Sequence, residues 1–158
     1  GGERDLDGAL AHTQAKIDAL LKSEGAEDFP TIRKEMEVTM MEQVGIFRER
    51  GPMEEALAKI RELKERYRRG HLRYSGHTFN QDLTRALELE GMLDVAEVVA
   101  LGAVTREESR GSHYRLDFRA RDDEKWLVHT LARGTPEGPR LEYGPVTITK
   151  YPPEERKY

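Results

Sequence analysis

The segment that most constrains the fold runs from Thr78 to Gly111, where the pattern predicts one helix of about seven to eight turns. Thr78 or Asn80 can cap its start, and Gly111 can close its end. Two apolar stripes share this helix, whereas a helix on a protein surface needs only one. The first stripe comprises Leu83, Ala86, Leu93, Ala96, Ala100 and Ala103, and the second comprises Leu89, Met92, Val95, Val99 and Ala103. We therefore expect cover on two sides, from two neighbouring helices and from either the N-terminal helix or a missing partner.

Three shorter amphipathic segments precede this helix. Apolar residues recur at helical spacing over residues 6–22, and the Asp28-Phe29-Pro30-Thr31 stretch is typical of a helix start. The helix that begins there should run to about Arg50, where Gly51-Pro52 would stop it, and a further helix should follow to about Arg69. The pattern predicts a mainly α fold, namely a three-helix bundle resembling a spectrin repeat, with one preceding helix.

The composition changes after Gly111. Residues 126–131 and 141–149 have the character of strands, and a Gly- and Pro-rich stretch at 134–139 between them favours a small C-terminal β hairpin. These features divide the chain into three parts: residues 1–27 as a linker and leading helix, residues 28–112 as the three-helix bundle, and residues 113–158 as a loop, hairpin and tail.

Composition excludes several classes of function. The 158 residues include no cysteine, which rules out disulfides, thiolate catalysis and cysteine-bound zinc or iron–sulfur clusters. The 26 basic and 30 acidic residues are mixed along the chain, so nucleic acid is not expected as a partner. No apolar run approaches the roughly 20 residues of a membrane span, so direct membrane insertion is not expected.

No catalytic motif is complete in the chain. It contains neither G-x-G-x-x-G nor G-x-x-x-x-G-K-[ST], and its five histidines lack metal-ligand spacing. Three consecutive carboxylates at Asp122-Asp123-Glu124 rarely converge on one ion, so they indicate a salt-bridged turn or a helix start. We therefore expect no catalytic, cofactor-binding or metal-binding residue in this sequence.

The most unusual segment lies at the predicted end of the long helix. Its candidate interface residues are Arg106, Glu108, Ser109, Arg110, His113 and Arg115. One interpretation is a helix C-terminus, with Gly111 in a left-handed conformation and arginines on the last carbonyls. The other is an interface, in which guanidinium groups reach carboxylates or carbonyls of a neighbouring domain. Both interpretations can hold together.

The same segment carries a resemblance to a known family. The pattern consists of Arg106-x-Glu108-Ser109-Arg110-Gly111-x-His113, then Arg121-Asp122-Asp123-Glu124-x-Trp126-x-x-His129, and the ending Pro152-Pro153-x-x-Arg156-x-Tyr158. With the Asn80-x-x-Leu83-x-x-Ala86 block upstream, it resembles the C-terminal region of succinate dehydrogenase and fumarate reductase flavoproteins. The likeness covers roughly residues 30–158, and the ending is similar to the dehydrogenases in particular.

This resemblance implies a division of labour. The full flavoprotein subunit of the family binds FAD, oxidises succinate to fumarate and passes electrons through an iron–sulfur subunit to quinone. Its flavin-binding fold and substrate-binding residues lie upstream, so the resemblance implies that this chain alone holds no FAD and is inactive. Its expected partners are its own flavin-binding and capping domains and the iron–sulfur subunit. The expected location is peripheral, on the cytoplasmic face of the inner membrane or the equivalent mitochondrial matrix side.

Three alternatives remain open from the sequence. Fumarate reductase differs from the dehydrogenase in the direction of flux, which this domain does not set. L-aspartate oxidase carries a related bundle, although the Pro-Pro ending favours the dehydrogenase over it. From a different class, the chain could be a stand-alone helical interaction module.

Overall fold

The computed structural model describes residues 6–154. Its helices are α1 (Leu6–Leu21), α2 (Phe29–Gln43), α3 (Arg50–Tyr67), α4 (Gln81–Thr105) and α5 (Asp123–Trp126). Its strands are β1 (Glu27–Asp28), β2 (Phe47–Arg48), β3 (Gly70–His71), β4 (Tyr114–Arg115), β5 (Val128–Thr135) and β6 (Gly138–Pro145). The predicted architecture is confirmed: a mainly helical bundle with a leading helix and a C-terminal hairpin.

The core lies between α2, α3 and α4, and it follows from the first apolar stripe of α4. That stripe is buried from Ala86 onward, and Leu83 packs at its edge. The larger core cluster comprises Phe29, Ile32, Met36, Ile60, Leu63, Leu72, Ala86, Leu89, Leu93 and Ala96. A second cluster towards the other end comprises Val44, Met53, Ala56, Leu57, Ala100 and Ala103. Burial of these side chains is the main force that holds the three helices together.

The starts of the helices follow from their capping residues. A side-chain oxygen of Asp28 accepts a hydrogen bond from the amide of Thr31 at 3.2 Å, and Pro30 occupies the first turn of α2. The side chain of Asn80 accepts from the amide of Leu83 at 2.8 Å and so begins α4. Each side chain satisfies a backbone donor that the helix cannot pair internally. The sequence predicted the start of α2 from the Asp28-Phe29-Pro30-Thr31 stretch and the start of α4 from Asn80 or Thr78, of which the structure shows Asn80.

Two predicted helix ends are wrong. Helix α2 ends at Gln43 instead of about Arg50, and Gly51-Pro52 lies inside the first turn of α3, where proline removes no needed donor. Helix α4 ends at Thr105 instead of Gly111. In both places the chain leaves the helix for a short parallel pairing, because β2 pairs with β4 in the register Phe47↔Tyr114 and Arg48↔Arg115.

A second parallel pairing joins the other end of the bundle, where Glu27 pairs with Gly70 and Asp28 with His71. Gly70 is required there by packing, because a Cβ on it would lie 2.1 Å from the Cε1 atom of Phe29. Phe29 in turn contacts the ring of Tyr67, with centroids 5.0 Å apart. This pairing therefore closes the bundle over the aromatic end of the core.

The hairpin is antiparallel, and its strands are shifted from the predicted ranges. Trp126 belongs to α5, so β5 begins at Val128, and β6 ends at Pro145 instead of Thr149. The turn places Gly138 at φ 115°, a conformation that favours glycine. A Cβ at Gly138 would lie 3.7 Å from Oε1 of Glu97, so the tip of the hairpin lies against α4.

The hairpin and α1 together provide cover on a second side of α4. Helix α1 lies beside the N-terminal half of α4, where Lys16 forms an ion pair with Glu90 and Leu20 and Leu21 pack against the core. The hairpin lies beside the C-terminal half. Cover by the N-terminal helix was one of the two expected alternatives, and cover by the hairpin was not predicted.

The division into residues 1–27, 28–112 and 113–158 remains a prediction. Arg156 and Tyr158, which belong to the ending that carries the family resemblance, lie outside the described residues. Between residues 6 and 154, no helix has both the length and the apolar character needed to cross a membrane.

Candidate functional site

The six predicted interface residues lie together at the C-terminal end of α4. After Thr105 the chain turns back on itself, and the backbones of Arg110 and His113 exchange hydrogen bonds of 2.9 and 3.0 Å. Gly111 sits in this turn at φ 59°, so its predicted left-handed conformation is confirmed, although it closes the turn and not the helix. Ser109 fixes the following loop, because its hydroxyl donates to the carbonyl of Phe118 at 2.8 Å and accepts from the amide of Arg115 at 2.8 Å.

Glu108 is the centre of an internal ion-pair network. Its side chain is fully buried and accepts from Nη1 of Arg106 at 2.5 Å and from Nε and Nη2 of Arg110 at 2.7 and 3.0 Å. The amide of Asp122 donates to its other oxygen at 2.9 Å. Burial alone would raise the pKa of Glu108, but the hydrogen bonds from Arg110, the Asp122 amide and Arg106 outweigh it and lower the pKa. Glu108 is therefore an anion that ties the end of α4 to the start of α5.

Arg106 holds the hairpin against the bundle. Its guanidinium donates to the carbonyls of Trp126 and Val128 at 2.9 and 3.0 Å and to the hydroxyl of Thr130 at 3.1 Å. The same group lies over the ring of Trp126, 5.1 Å from its centroid, in a cation–π contact. Arg106 therefore joins three elements, namely the end of α4, α5 and the first strand of the hairpin.

Arg115 caps the C-terminus of α4 from β4. Its side chain has no exposed surface, and Nη1 donates to the carbonyls of Ala103, Val104 and Arg106 at 3.2, 3.2 and 2.9 Å. Nε and Nη2 form a two-pronged ion pair with Asp117, both at 2.7 Å, and this pairing lowers the pKa of Asp117 to about 2. The expected arginine on the last carbonyls is therefore Arg115.

His113 links this end of the bundle to β2. Its Nε2 lies 3.1 Å from the carbonyl of Arg106, and its Nδ1 lies 2.6 Å from Nη1 of Arg48. Since a carbonyl only accepts and a guanidinium only donates, the compatible form is neutral imidazole with the proton on Nε2. Burial lowers the pKa of His113, and the nearby arginines add to this effect. The bond to Arg48 spans 65 residues, and no sequence signal indicated it.

The structure separates the six predicted residues into two groups. Glu108 and Arg115 are fully buried, so they cannot touch a neighbouring domain directly. Arg106, Ser109, Arg110 and His113 keep partial exposure at the edge of the network. Beside them lies an open pocket of about 730 Å³, whose lining includes Arg110, Tyr114, Arg119 and Arg121. The role of this edge as an interface stays a prediction.

An exposed aromatic pair adjoins this edge and was not predicted to be functional. Phe47 is 70 % exposed, its ring contacts that of Tyr114 edge-on at 5.7 Å, and Ile46 beside it is 63 % exposed. The β2–β4 pairing brings these residues together, which spacing along the chain could not show.

The second stripe of α4 is only partly covered. Leu89 and Ala103 are buried and Met92 is half-buried, whereas Val95 is 63 % and Val99 is 42 % exposed. These valines line an open groove of about 640 Å³ between α2 and α4, with Met36 and Met40 on the opposite wall.

The described residues do not fit a dinucleotide cofactor. Their parallel pairings involve strands of two residues each, so residues 6–154 contain no strand–loop–helix unit that could hold a pyrophosphate. Nor does this part of the chain group three histidine, aspartate or glutamate side chains as metal ligands. What the site shows is a set of hydrogen bonds and ion pairs by which arginine side chains hold segments of the same chain together.

Residues 33–158 match the family model described as fumarate reductase flavoprotein C-term, and the chain belongs to this family. The fumarate reductase flavoprotein subunit of Haemophilus influenzae is 45 % identical over 97 % of this chain and 26 % of that protein. The succinate dehydrogenase flavoprotein subunit of Coxiella burnetii is 37 % identical over 80 % of this chain and 21 % of that protein. A solved structure of a variant of Escherichia coli quinol fumarate reductase superposes with a TM-score of 0.92 at 38 % identity, over 98 % of this chain and 27 % of that one. The chain thus spans about a quarter of the length of the relatives it matches.

Proposed function

We propose that this chain is the C-terminal structural domain of a flavoprotein subunit that interconverts succinate and fumarate. The observation that carries the proposal is the family match over residues 33–158, together with relatives named as flavoprotein subunits of fumarate reductase and succinate dehydrogenase. The Pro152-Pro153 ending favours the dehydrogenase, whereas relatives of 42–45 % identity are named fumarate reductases. The proposal therefore covers both directions of the reaction.

In this proposal the chemistry belongs to the part of the subunit outside this chain. FAD bound there would supply the hydride transfer, and no residue of this chain would touch the flavin or the substrate. Structural neighbours titled as quinol fumarate reductase support membership in a complex of several subunits. An iron–sulfur subunit would receive the electrons, and the complex would hold this domain peripherally at the membrane.

The role of the chain itself would be to support the flavin-binding and capping domains. The network around Glu108 and Arg115 fixes the ends of α4, β4 and the hairpin relative to one another, so the partly exposed edge is rigid. A rigid edge loses little conformational entropy when a second domain packs against it. Arg110 at this edge and the exposed valines of α4 are the groups proposed to face those domains.

The proposal that the chain belongs to a flavoprotein subunit is tested on the gene product as its native cell makes it. A chain much longer than 18.1 kDa that absorbs near ~450 nm, as bound oxidised flavin does, would support the proposal. A colourless product of 18.1 kDa would refute it and would favour the stand-alone interaction module.

The test of the supporting role is Arg110→Ala in the full-length subunit. We expect a lower yield of assembled subunit, with the rate of the chemical step per bound flavin unchanged. Arg133→Ala is the matched control, because Arg133 lies on the exposed hairpin and, within residues 6–154, forms an ion pair with Glu142 alone. A loss of rate with normal assembly would contradict the supporting role.

A further inference from the structure

The side of α4 that faces the cleft with α2 carries no charged residue between residues 91 and 102. With 100° per residue, Gly91, Met92, Val95, Val98, Val99 and Gly102 fall within one arc of about 120°, and the exposed Asp94 lies outside this arc, where it pairs with Lys64 of α3. A solvated helix face normally carries charged side chains, so an uncharged exposed stripe indicates a contact surface. Added Cβ atoms on Gly91 and Gly102 would meet no heavy atom within 4 Å, so the space above both positions is open.

This face forms one wall of the cleft between α2 and α4. Met36 and Met40 of α2 form the other wall, and among residues 6–154 Glu88 is the one charged residue that lines the groove. From Glu88 to Val99 the groove extends for about 17 Å, at 1.5 Å per residue. The spacing of Glu88, Met92, Val95 and Val99 is four, three and four, as in a helix that packs along its length against a second helix.

The same cleft becomes basic towards the start of α4. There a pocket of about 460 Å³ has an apolar floor that includes Phe29 and Leu89, and Lys34 and Arg85 are on its rim. Within residues 6–154, Lys34 forms no ion pair, and Arg85 bonds only to the neutral amide of Gln81 at 3.4 Å. Arg33 and Arg73 on the same rim are already paired, with Glu37 and Asp28 respectively. The pocket also contains two carboxylates, but Glu37 pairs with Arg33, and Asp82 accepts from the amides of Arg73 and Tyr74. Lys34 and Arg85 are therefore left without a carboxylate at one end of an apolar groove.

We propose that an amphipathic helix from the remaining part of the same flavoprotein subunit docks in this α2–α4 groove. Its apolar stripe packs on Val95 and Val99, and carboxylates at one of its ends face Lys34 and Arg85. This inference rests on the proposed function, since about three-quarters of the relatives' length lies outside the match. A helix suits the site because its backbone groups are paired internally, whereas an extended segment would bury unpaired groups against methionine and valine.

Charge argues against a second copy of this chain as the occupant. A two-fold pairing of the groove with itself would bring Lys34 and Arg85 of one copy towards the Val99 end of the other. In the described part of the chain, no carboxylate lines the groove at that end, so the two cations would stay unpaired. A partner helix with an acidic end satisfies both the apolar wall and the cations.

The test is a photo-cross-link in the full-length subunit, with p-benzoylphenylalanine at position 95. We expect one dominant link within the subunit, to a helix whose acidic end lies towards Lys34. Position 38 is the matched control, because Val38 is also exposed but does not line the groove. A link between two copies, or a yield at position 95 no higher than at position 38, would overturn the proposal.

Charge reversal provides the second measurement. Lys34→Glu should lower the yield of assembled subunit several-fold, and Lys22→Glu, at an exposed lysine just after α1, should leave it unchanged. Equal yields for the two variants would contradict the proposal that the docked helix places carboxylates against Lys34. The 158-residue chain with Lys34→Glu should unfold at the same temperature as the parent, which separates docking from folding.

If the native product binds no flavin, the proposed function fails; a flavin-containing subunit without the cross-link refutes only this inference.

Discussion

Replacement of Arg115 by methionine should destabilise the chain more than any other single arginine change at the end of the bundle. Methionine is long and apolar, so it fills much of the space while removing all five hydrogen bonds of the guanidinium. Three carbonyls at the C-terminus of α4 would lose their donor, and the carboxylate of Asp117 would lose its charge partner.

The size of the expected loss in unfolding free energy follows from the burial of the Arg115–Asp117 ion pair. Breaking a buried ion pair by removing one partner costs about 3–5 kcal/mol, because the remaining charge is left uncompensated. The side chain of Asp117 is 25 % exposed and can regain part of its hydration, which favours the lower half of that range. We therefore expect a loss of about 3–4 kcal/mol. With a urea dependence of about 2 kcal/mol/M, the unfolding midpoint should fall by about 1.5–2 M.

Urea unfolding of the 158-residue chain, followed by circular dichroism at 222 nm, measures this change. Arg119→Met is the control, because the Arg119 side chain is exposed and, among the residues that the structure describes, bonds only to the carbonyl of Leu116 at 3.3 Å. Its effect should stay within about 0.5 kcal/mol. If Arg115→Met costs less than about 1 kcal/mol, the assignment of Arg115 as the cap of α4 is wrong.

Three further predictions concern other parts of the chain. Hydrogen bonds from arginine and lysine lower the pKa of Asp117 and of Glu35 to about 2, from ordinary values of 3.8 and 4.5. These two carboxylates therefore stabilise the folded chain fully above about pH 4.5, and this stabilisation is lost as the pH falls towards 2. The urea midpoint should fall between pH 6 and pH 2, and a midpoint that does not change with pH would contradict the pairing. Gly91→Ala should stabilise the 158-residue chain by up to about 1 kcal/mol, because alanine favours helix, yet lower the yield of the full-length subunit by obstructing the groove. Gly70→Ala should cost about 1–3 kcal/mol by displacing Phe29, whereas Gly51→Ala, with nothing within 4 Å of its Cβ, should not; equal melting temperatures would refute this packing argument.

The helices could be predicted because their spacing repeats locally. The first stripe of α4, the helix start at Asp28-Phe29-Pro30-Thr31 and the cap at Asn80, one of two candidates, depend on residues within a few positions of each other, and all three agree with the structure. The ends of α2 and α4 could not be predicted in the same way. They depend on the pairing of β2 with β4, strands that lie more than 60 residues apart in the chain and whose two-residue length leaves no pattern.

Prediction of the candidate site was limited in the same way, because its contacts join segments that are distant in the chain. The sequence located the cluster from Arg106 to Arg115, because its residue types are unusually dense in hydrogen-bonding groups. It did not show which members would be internal. Burial of Glu108 depends on the amide of Asp122, and orientation of His113 depends on Arg48, so both are consequences of how distant segments meet.

The packing around Trp126 gives the chain a built-in optical probe. Trp126 is the one tryptophan of the sequence, and the cationic groups of Arg106 and Lys125 each lie 5.1 Å from its ring centroid. The ring of Tyr143 on β6 meets it edge-on at 5.7 Å. Since these contacts join α5 to the hairpin and to the end of α4, its fluorescence reports whether the hairpin is attached, independently of helix content. A shift of indole emission that precedes the loss of ellipticity would identify detachment of the hairpin as the first event in unfolding.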